Sequence, residues 1–411
     1  MEKFLAEAKA SSRTFAEVGG ADKNRILNEM ADAIEEKTKE IMQANVIDMA
    51  DADKNSLTAA LKDRLLLDAK RIADMAKSIR EISALKEPVG RILEGWVLEN
   101  GIKIEKVTVP IGVIGIIYES RPNVTSDTAA LCFKSSNVCV LKGGKEAENS
   151  NKAIAKVLKD VLIKNDLPSS LISLLPDSSR EGVSKLIKMD KYVDLIVPRG
   201  GEGLIHYVCD NASVPVVKHD KGQCHTYIAK DADFVMAIEI AVNAKTSRPG
   251  VCNAMETLLV DEAIAQEILP LLKEAFDAAG TRLKGCGKTQ KIISVEHAGE
   301  AEFHTEYLDN ILNIRVVEDV DAAIEHIAIY GSGHSEAIVT ENYTMAEKFL
   351  NGVDAAAVYV NASTRFTDGG SFGFGAEVGI STNKLHVRGP MGIEGLTTYK
   401  FKLYGSGQVR V

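Results

Sequence analysis

The first ninety residues place apolar side chains at helical spacing. Phe4, Leu5, Ala8 and Phe15 share one face, Ile26, Met30, Ala33 and Ile34 repeat the spacing, and Leu65, Ile72, Met75 and Ile79 do so again. Gly19-Gly20 separates the first two helices. The pattern changes at Pro88-Val89-Gly90. Trp96-Val97-Leu98 and Ile102-Lys103-Ile104 flank Glu99-Asn100-Gly101, and an Asn-Gly turn between such runs predicts a hairpin. A hairpin at 94–106 standing off a helical layer is suited to extend a neighbouring subunit's sheet. From 111 onward, short apolar runs alternate with helical stretches. Strands are expected at 112–118, 138–141, 172–175, 193–197 and 215–217, with helices such as 151–164 and 179–189 between them. A second series follows, with helices at 233–247 and 262–279 and strands at 255–260, 312–317, 336–339 and 356–360. Uninterrupted apolar strands alternating with helices imply parallel sheets covered on both faces. The expected architecture is α/β, with two doubly wound parallel-sheet domains at 1–230 and 231–361. A Gly-rich return segment, 362–411, ends in a strand at 397–403 that serves assembly with the hairpin.

The length, 411 residues, suits two or three domains at about 150 residues each. Lys and Arg number 49 against 58 Asp and Glu, a net charge of −9. That balance argues against a general nucleic-acid binder, which needs a basic surface, while leaving room for a local basic pocket. Cysteines stand at 132, 139, 209, 224, 252 and 286 with no C-x-x-C pair, which suits neither a disulfide scaffold nor a zinc ribbon, and no metal is expected. The start, MEKFLAEAKASS, lacks the basic-then-apolar order of a secretory signal. The longest apolar stretch, 107–118, is interrupted by Thr108, Pro110, Gly112 and Gly115 and is too short to span a bilayer. A soluble, cytoplasmic protein is expected.

Cys252 lies in Ser247-Arg248-Pro249-Gly250-Val251-Cys252-Asn253, between a predicted helix and a predicted strand. A rigid Gly-Pro loop can expose a thiol, and Arg248 would favour the thiolate. A small buried hydrophobe is the alternative. Cys132, Cys139 and Cys209 sit in apolar or helical contexts and read as packing. Cys224 and His225, with His219 nearby, lack the second ligand pair that zinc requires. His326 and His334 flank a Gly-Ser-Gly and could cap helix carbonyls. Leu141-Lys142-Gly143-Gly144-Lys145 and Pro198-Arg199-Gly200-Gly201-Glu202-Gly203 each follow a predicted strand, where open α/β sheets bind nucleotides. Neither is the G-x-G-x-x-G fingerprint. Asn123, in Tyr118-Glu119-Ser120-Arg121-Pro122-Asn123, either caps the next helix or offers an amide to an oxyanion.

In order, YESRPNVTSD, LKGG, PRGG, SRPGVCNAMETLLV and VNASTRFTDGG resemble the aldehyde dehydrogenase superfamily over essentially the whole chain. The run from 317 to 338, VEDVDAAIEHIAIYGSGHSEAI, resembles a branch that reduces an acyl phosphate. The resemblance implies Cys252 as nucleophile and Asn123 as oxyanion donor. It places Lys142, with Gly143, at the adenosine ribose, and Arg199, Gly200 and Gly201 under the pyrophosphate. Glu306 falls at the nicotinamide ribose. Lys145 stands where NAD-preferring relatives tend to carry a glutamate, so NADPH is the implied donor. Arg121, Arg248 and Arg365 are candidates for the substrate's phosphate and carboxylate. Aldehyde-oxidising relatives carry a water-activating glutamate in E-L-G-G-K. Here the stretch reads His219-Asp220-Lys221-Gly222-Gln223, which fits reduction better than oxidation. The implied reaction reduces L-glutamyl 5-phosphate to L-glutamate 5-semialdehyde with release of phosphate, in proline biosynthesis. A homo-oligomer, dimer or tetramer, is implied as well, and association with glutamate 5-kinase would suit so labile an acyl phosphate. The competing readings are an aldehyde-oxidising or acyl-CoA-reducing relative, and a nucleotide-binding scaffold without catalysis.

Overall fold

Apolar stripes set the helices at the start of the chain: α1 (Glu2–Phe15), α2 (Gly20–Glu36), α3 (Thr38–Lys54), α4 (Ala59–Leu65) and α5 (Ala69–Ala84). Ile26, Leu27, Met30 and Ile34 are buried on α2, and Ile72, Met75, Ile79 and Ile82 on α5. The side chains of Thr58 and Asp68 accept backbone N–H bonds at the starts of α4 and α5, satisfying donors that a helix leaves unpaired. The computed structural model describes residues 1–218 and 221–410. Contacts divide them into two units. The first is Met1–Lys218 with Gly373–Gly379 and the chain from Met391 onward; the second runs up to Phe372 and includes Ile380–Pro390.

In the first unit, β1 (Ile92–Val97) and β2 (Lys103–Pro110) form the expected antiparallel hairpin, turned at Gly101 with φ +85°. Next come β3 (Val113–Tyr118), α6 (Asn123–Lys134), β4 (Val138–Lys142), α7 (Glu148–Lys164), β5 (Ile172–Leu174), α8 (Arg180–Leu186), β6 (Leu195–Arg199) and α9 (Glu202–Asn211). The four strands make a parallel sheet in the order β5-β4-β3-β6. Every residue of β3 is buried. The expected strand at 215–217 reduces to one bridge between Val216 and Ile196, since Pro215 has no N–H to donate to a ladder.

The second unit contains β7 (Cys224–Ile228), α10 (Phe234–Thr246), β8 (Met255–Asp261), α11 (Ala265–Ala278), β9 (Arg282–Gly285), α12 (Gly287–Gln290), β10 (Glu296–His297), α13 (Glu300–Phe303), β11 (Ile311–Val317), α14 (Val320–Tyr330), β12 (Ser335–Val339), α15 (Tyr343–Gly352) and β13 (Ala357–Val360), followed by the short pair β14 (Ile380–Ser381) and β15 (Gly389–Pro390). Its seven-stranded parallel sheet runs β10-β9-β11-β8-β7-β12-β13. Ala237 and Ala241 of α10 join Ile268, Leu272 and Phe276 of α11 in one buried cluster, while Ile327 of α14 and Phe349 of α15 belong to another with Tyr227 and Leu259. The division between units falls after 218 rather than at 230/231, because β7 pairs with β8 and β12 inside this sheet. The return segment is likewise shared between the units rather than separate. β16 (Thr397–Tyr404) pairs with β2, giving the three-stranded antiparallel sheet β1-β2-β16.

Asp48 on α3 fixes the start of α7, just past the Lys142–Lys145 loop. Its two oxygens accept from the Asn149 backbone and side chain (3.1 and 2.8 Å) and from the Ser150 N–H and hydroxyl (2.7 and 2.6 Å). Asp48→Ala strands these donors in a buried setting. It should lower unfolding stability by about 2–4 kcal/mol in urea titrations; a loss below about 0.5 kcal/mol would show that the pin is dispensable.

Candidate functional site

In the first unit, β3, β4 and β6 are parallel, so their carboxyl ends lie along one edge of the sheet, where open α/β sheets take ligands. Glycine leaves space there that a side chain would have to claim from its neighbours. A Cβ at Gly143 would lie 2.1 Å from Asn151 Nδ2, and one at Gly200 would lie 2.6 Å from Glu119 Oε2. A cavity of about 250 Å³ is lined by Lys142, Gly143, Gly144, Asn151 and Ser178. A second, of about 810 Å³, is lined by Lys142, Lys145 and Arg180 and by the carboxylates Glu119, Glu146 and Glu181. Burial pulls the Lys142 pKa down, with Glu146 and Glu119 opposing it. Three cations on one cavity, beside glycines that let backbone come close, fit a phosphorylated nucleotide. The structure thus brings Lys142, Gly143 and Lys145 together, and it adds Arg180, which sequence reasoning missed. Its signal was the strand-Ser-helix junction, where the Ser179 side chain caps α8.

The Arg199-Gly200-Gly201 turn does open α9 as expected. The Gly201 N–H, however, donates to Glu119 Oε2 at 2.9 Å, so a carboxylate of the same unit already sits at this helix start. A pyrophosphate there has to displace Glu119 or share the turn with it. Asn123 is the first residue of α6 and does not cap it. Its Nδ2 donates to Asp127 Oδ2 at 3.0 Å, one turn along. The preceding Ser120 has φ +36°, and its N–H and hydroxyl both donate to Glu146 Oε1 at 2.6 and 2.7 Å. This turn holds a non-glycine residue in a sparsely populated conformation. Arg121 is exposed beside it.

In the second unit, Cys252 lies on the loop between α10 and β8. The ends of the loop are tied by a buried ion pair, Lys245 Nζ to Glu256 Oε2 at 2.8 Å, with neither side chain exposed. Burial pushes the Glu256 pKa up to about 7 and pulls Lys245 down, each against the attraction of the other. The loop is held by three further hydrogen bonds. Asn253 Nδ2 donates to the Thr367 carbonyl at 2.8 Å, and the Thr364 hydroxyl donates to the Asn253 carbonyl at 2.8 Å. The Cys224 thiol donates to the Cys252 carbonyl at 3.2 Å. Gly222 packs so tightly that a Cβ would lie 1.8 Å from the Cys252 oxygen. The Gly222 N–H in turn donates to Glu306 Oε1 at 2.8 Å, so in this unit Glu306 braces the segment that touches Cys252.

Cys252 itself is half-buried. Arg365 Nε donates to the Ser247 hydroxyl at 3.0 Å. Burial and then the neighbouring Arg248 lower the Arg365 pKa, while Cys252 acts in the opposite sense. The structure therefore groups Arg248 and Arg365 with Cys252, whereas Arg121 and Asn123 belong to the first unit. Gly222 and Cys224 were not legible as neighbours of Cys252; the adjacent His219 and Asp220 lie outside the described residues.

His225, His326 and His334, with Cys132 and Cys139, are core groups. Glu336 Oε2 accepts from the His225 N–H at 2.7 Å and lies 2.9 Å from its Nδ1. The His225 ring meets His326 edge-on. Burial drives the His326 pKa to about 2, helped by His225 and Arg315. His326 and His334 are thus buried core groups rather than helix caps. Cys132 and Cys139 are buried, as expected. For Cys286, burial raises the pKa, but hydrogen bonds from the Thr289 side chain and backbone outweigh it and leave the thiol below its ordinary value.

The model of the aldehyde dehydrogenase family matches residues 1–290. The chain belongs to the aldehyde dehydrogenase family. It is 77% identical over 410 residues to the gamma-glutamyl phosphate reductase of Sulfurovum sp. (strain NBC37-1), with 100% of both chains covered. The crystal structure of the gamma-glutamyl phosphate reductase from Thermotoga maritima superposes with a TM-score of 0.98 at 47% identity, covering 100% of this chain and 99% of that one. These place it among the family's gamma-glutamyl phosphate reductases, as an oxidoreductase. An engineered glycolyl-CoA reductase with bound NADP+ shares the fold, at 14% identity, TM-score 0.67 and coverage of 98% and 96%. The α/β architecture of two parallel sheets expected from the sequence is that of the family, whose members use nicotinamide cofactors. Among the described residues no helix is long and apolar enough to cross a membrane.

The ion pair beneath the loop makes an asymmetric prediction. Lys245→Met leaves Glu256 buried without its cation and should cost about 3–5 kcal/mol in urea unfolding. Adding Glu256→Leu should recover most of that loss, because an apolar pair has no charge to desolvate. Equal loss in the single and double variants would show that side-chain shape, rather than charge, holds the loop.

Proposed function

We propose that the protein reduces L-glutamyl 5-phosphate to L-glutamate 5-semialdehyde, with release of phosphate, as the second step of proline biosynthesis from glutamate. The observation that carries this reading is the braced Cys252 loop, with Arg365 feeling both Arg248 and Cys252 electrostatically. The relatives at 77% and 47% identity support it through their names. Cys252 thiolate adds to the γ-acyl carbonyl. The carbonyl oxygen becomes an oxyanion, for which the Cys252 N–H and the Asn123 amide are the donors. One donor of this kind is worth roughly 10²–10³ in rate. The C–O bond to phosphate then breaks, inorganic phosphate leaves toward the arginines, and a thioester remains on Cys252. After reduction, the C–S bond breaks, the aldehyde is released and the thiolate is restored.

NADPH is the proposed cofactor, and it supplies the hydride that reduces the thioester. Lys142 and the glycines would hold its adenosine half. Lys145 and Arg180 would meet a 2′-phosphate, and Glu306 would hold the nicotinamide ribose. Arg121 is proposed as a further substrate cation. The β1-β2-β16 sheet, with Trp96, Tyr399, Phe401 and Leu403 exposed, is proposed as the assembly surface. Sedimentation should therefore show a dimer or tetramer.

Reversibility gives the direct test, since the acyl phosphate is unstable. Protein supplied with glutamate 5-semialdehyde and NADP+ should form NADPH only when inorganic phosphate is present, and Cys252→Ala should abolish it. NADPH formation without phosphate would mean that water resolves the thioester, making the protein an aldehyde oxidiser.

A further inference from the structure

We propose that Asp127 is a positioning residue for the Asn123 amide, taking one of its two N–H groups so that the other is left fixed for the oxyanion. This rests on the reading of Asn123 as an oxyanion donor. The two residues are four apart on α6 and therefore lie on one face, with Nδ2 to Oδ2 at 3.0 Å. Asn123 is exposed at the helix start, while Asp127 is partly buried behind it. An exposed asparagine amide has a broad χ2 well and turns easily. A primary amide carries two N–H donors, so a carboxylate that engages one fixes the plane of both. An oxyanion donor that needs no reorientation during the reaction is worth most.

The surroundings of Asp127 support a purpose for its charge. Burial pushes its pKa up to about 6, against the opposing pulls of the Asn123 amide, the Ser78 hydroxyl on α5 and the Arg199 guanidinium on β6. Keeping a carboxylate where burial disfavours it is costly, and an apolar side chain would pack there at lower cost. The hydrogen bond to the Asn123 amide gives that carboxylate a role.

The test measures kcat and KM in the phosphate-dependent reverse assay for Asn123→Ala, Asp127→Leu, Asp127→Asn and the double variant Asn123→Ala/Asp127→Leu. Asp127→Leu should lower kcat by at least about tenfold, a share of what one donor is worth, with KM for NADP+ unchanged. Because Asp127 acts through Asn123, the double variant should be no slower than Asn123→Ala alone, whereas a purely structural role would make the losses multiply. Asp127→Asn can still accept the amide bond but has no proton to gain. The ratio of wild-type to Asp127→Asn kcat, in which the titration of Cys252 is common to both, should therefore fall as pH drops through about 6. If Asp127→Leu does not fold, this ratio decides alone: a flat ratio overturns the proposal. Multiplying losses, or an Asp127→Leu enzyme within twofold of wild type while Asn123→Ala collapses, overturn it and leave the Asn123 reading standing. An Asn123→Ala enzyme of normal rate removes both.

Discussion

The Cys252 loop depends on an interaction between two side chains that water would separate if it could reach them. Lys245 and Glu256 are both fully buried, and each is destabilised as an ion by that burial. Their attraction offsets the cost only while the end of α10 and the start of β8 stay close enough for the 2.8 Å contact. The residues between them must then span a fixed gap, which turns a Gly-Pro segment into a rigid loop. Gly222 sets the depth at which it sits, since any side chain there would collide with the Cys252 backbone. Once the main chain is fixed, Arg248 and Arg365 can be kept close together despite their mutual repulsion. An anion beside them relieves that repulsion, which suits a reaction that discharges phosphate.

The first unit solves a comparable problem without an ion pair. Its strands end along one sheet edge, and the backbone there must leave room for a ligand while remaining ordered. Gly143 and Gly200 leave that room. Carboxylates supply the order: Glu146 gathers the Ser120 N–H and hydroxyl, Glu119 the Gly201 N–H, and Asp48 the start of α7. Lysine and arginine face the cavity among these acids, so its field is mixed rather than simply basic. This explains how a chain with a net charge of −9 presents a pocket suited to phosphate.

Most of the fold was legible because its strands are apolar runs and its helices carry clear stripes. β7, missed along with β9 and β10, shows why such reading fails. Cys-His-Thr-Tyr-Ile has no apolar continuity, yet every residue is buried in the middle of the second sheet. Its polar groups are tolerated because Glu336 on the adjacent β12 takes the His225 backbone and ring. A partner 111 residues away leaves no local trace. The same blindness moved the boundary between units to 230/231 instead of 218. Cys252, Lys142 and Arg365 stood out as candidates because each carries its own chemistry. Those defined by proximity, Gly222, Arg180 and Asp127, did not.

The segment that resembles the acyl-phosphate-reducing branch most specifically holds no group proposed to touch substrate. Its contribution is to frame the Cys252 loop. The Ser332 hydroxyl accepts the Gln223 N–H at 3.1 Å, beside Gly222 and Cys224. The Ser335 hydroxyl donates to Thr367 Oγ1 at 2.6 Å, and the Thr367 carbonyl accepts Asn253 Nδ2. His326, His225 and Glu336 fill the space behind with buried polar contacts. A pattern of Tyr-Gly-Ser-Gly-His-Ser-Glu is therefore constrained from two sides, by the wall that carries β7 and by the loop that carries Cys252. Two hydroxyls three positions apart reach both, because Gly331 and Gly333 let the chain turn between α14 and β12. At Gly331 a Cβ would strike the Ile327 carbonyl at 2.5 Å, and Gly333 adopts φ +71°. Specific sequence here reports the packing that fixes the Cys252 loop.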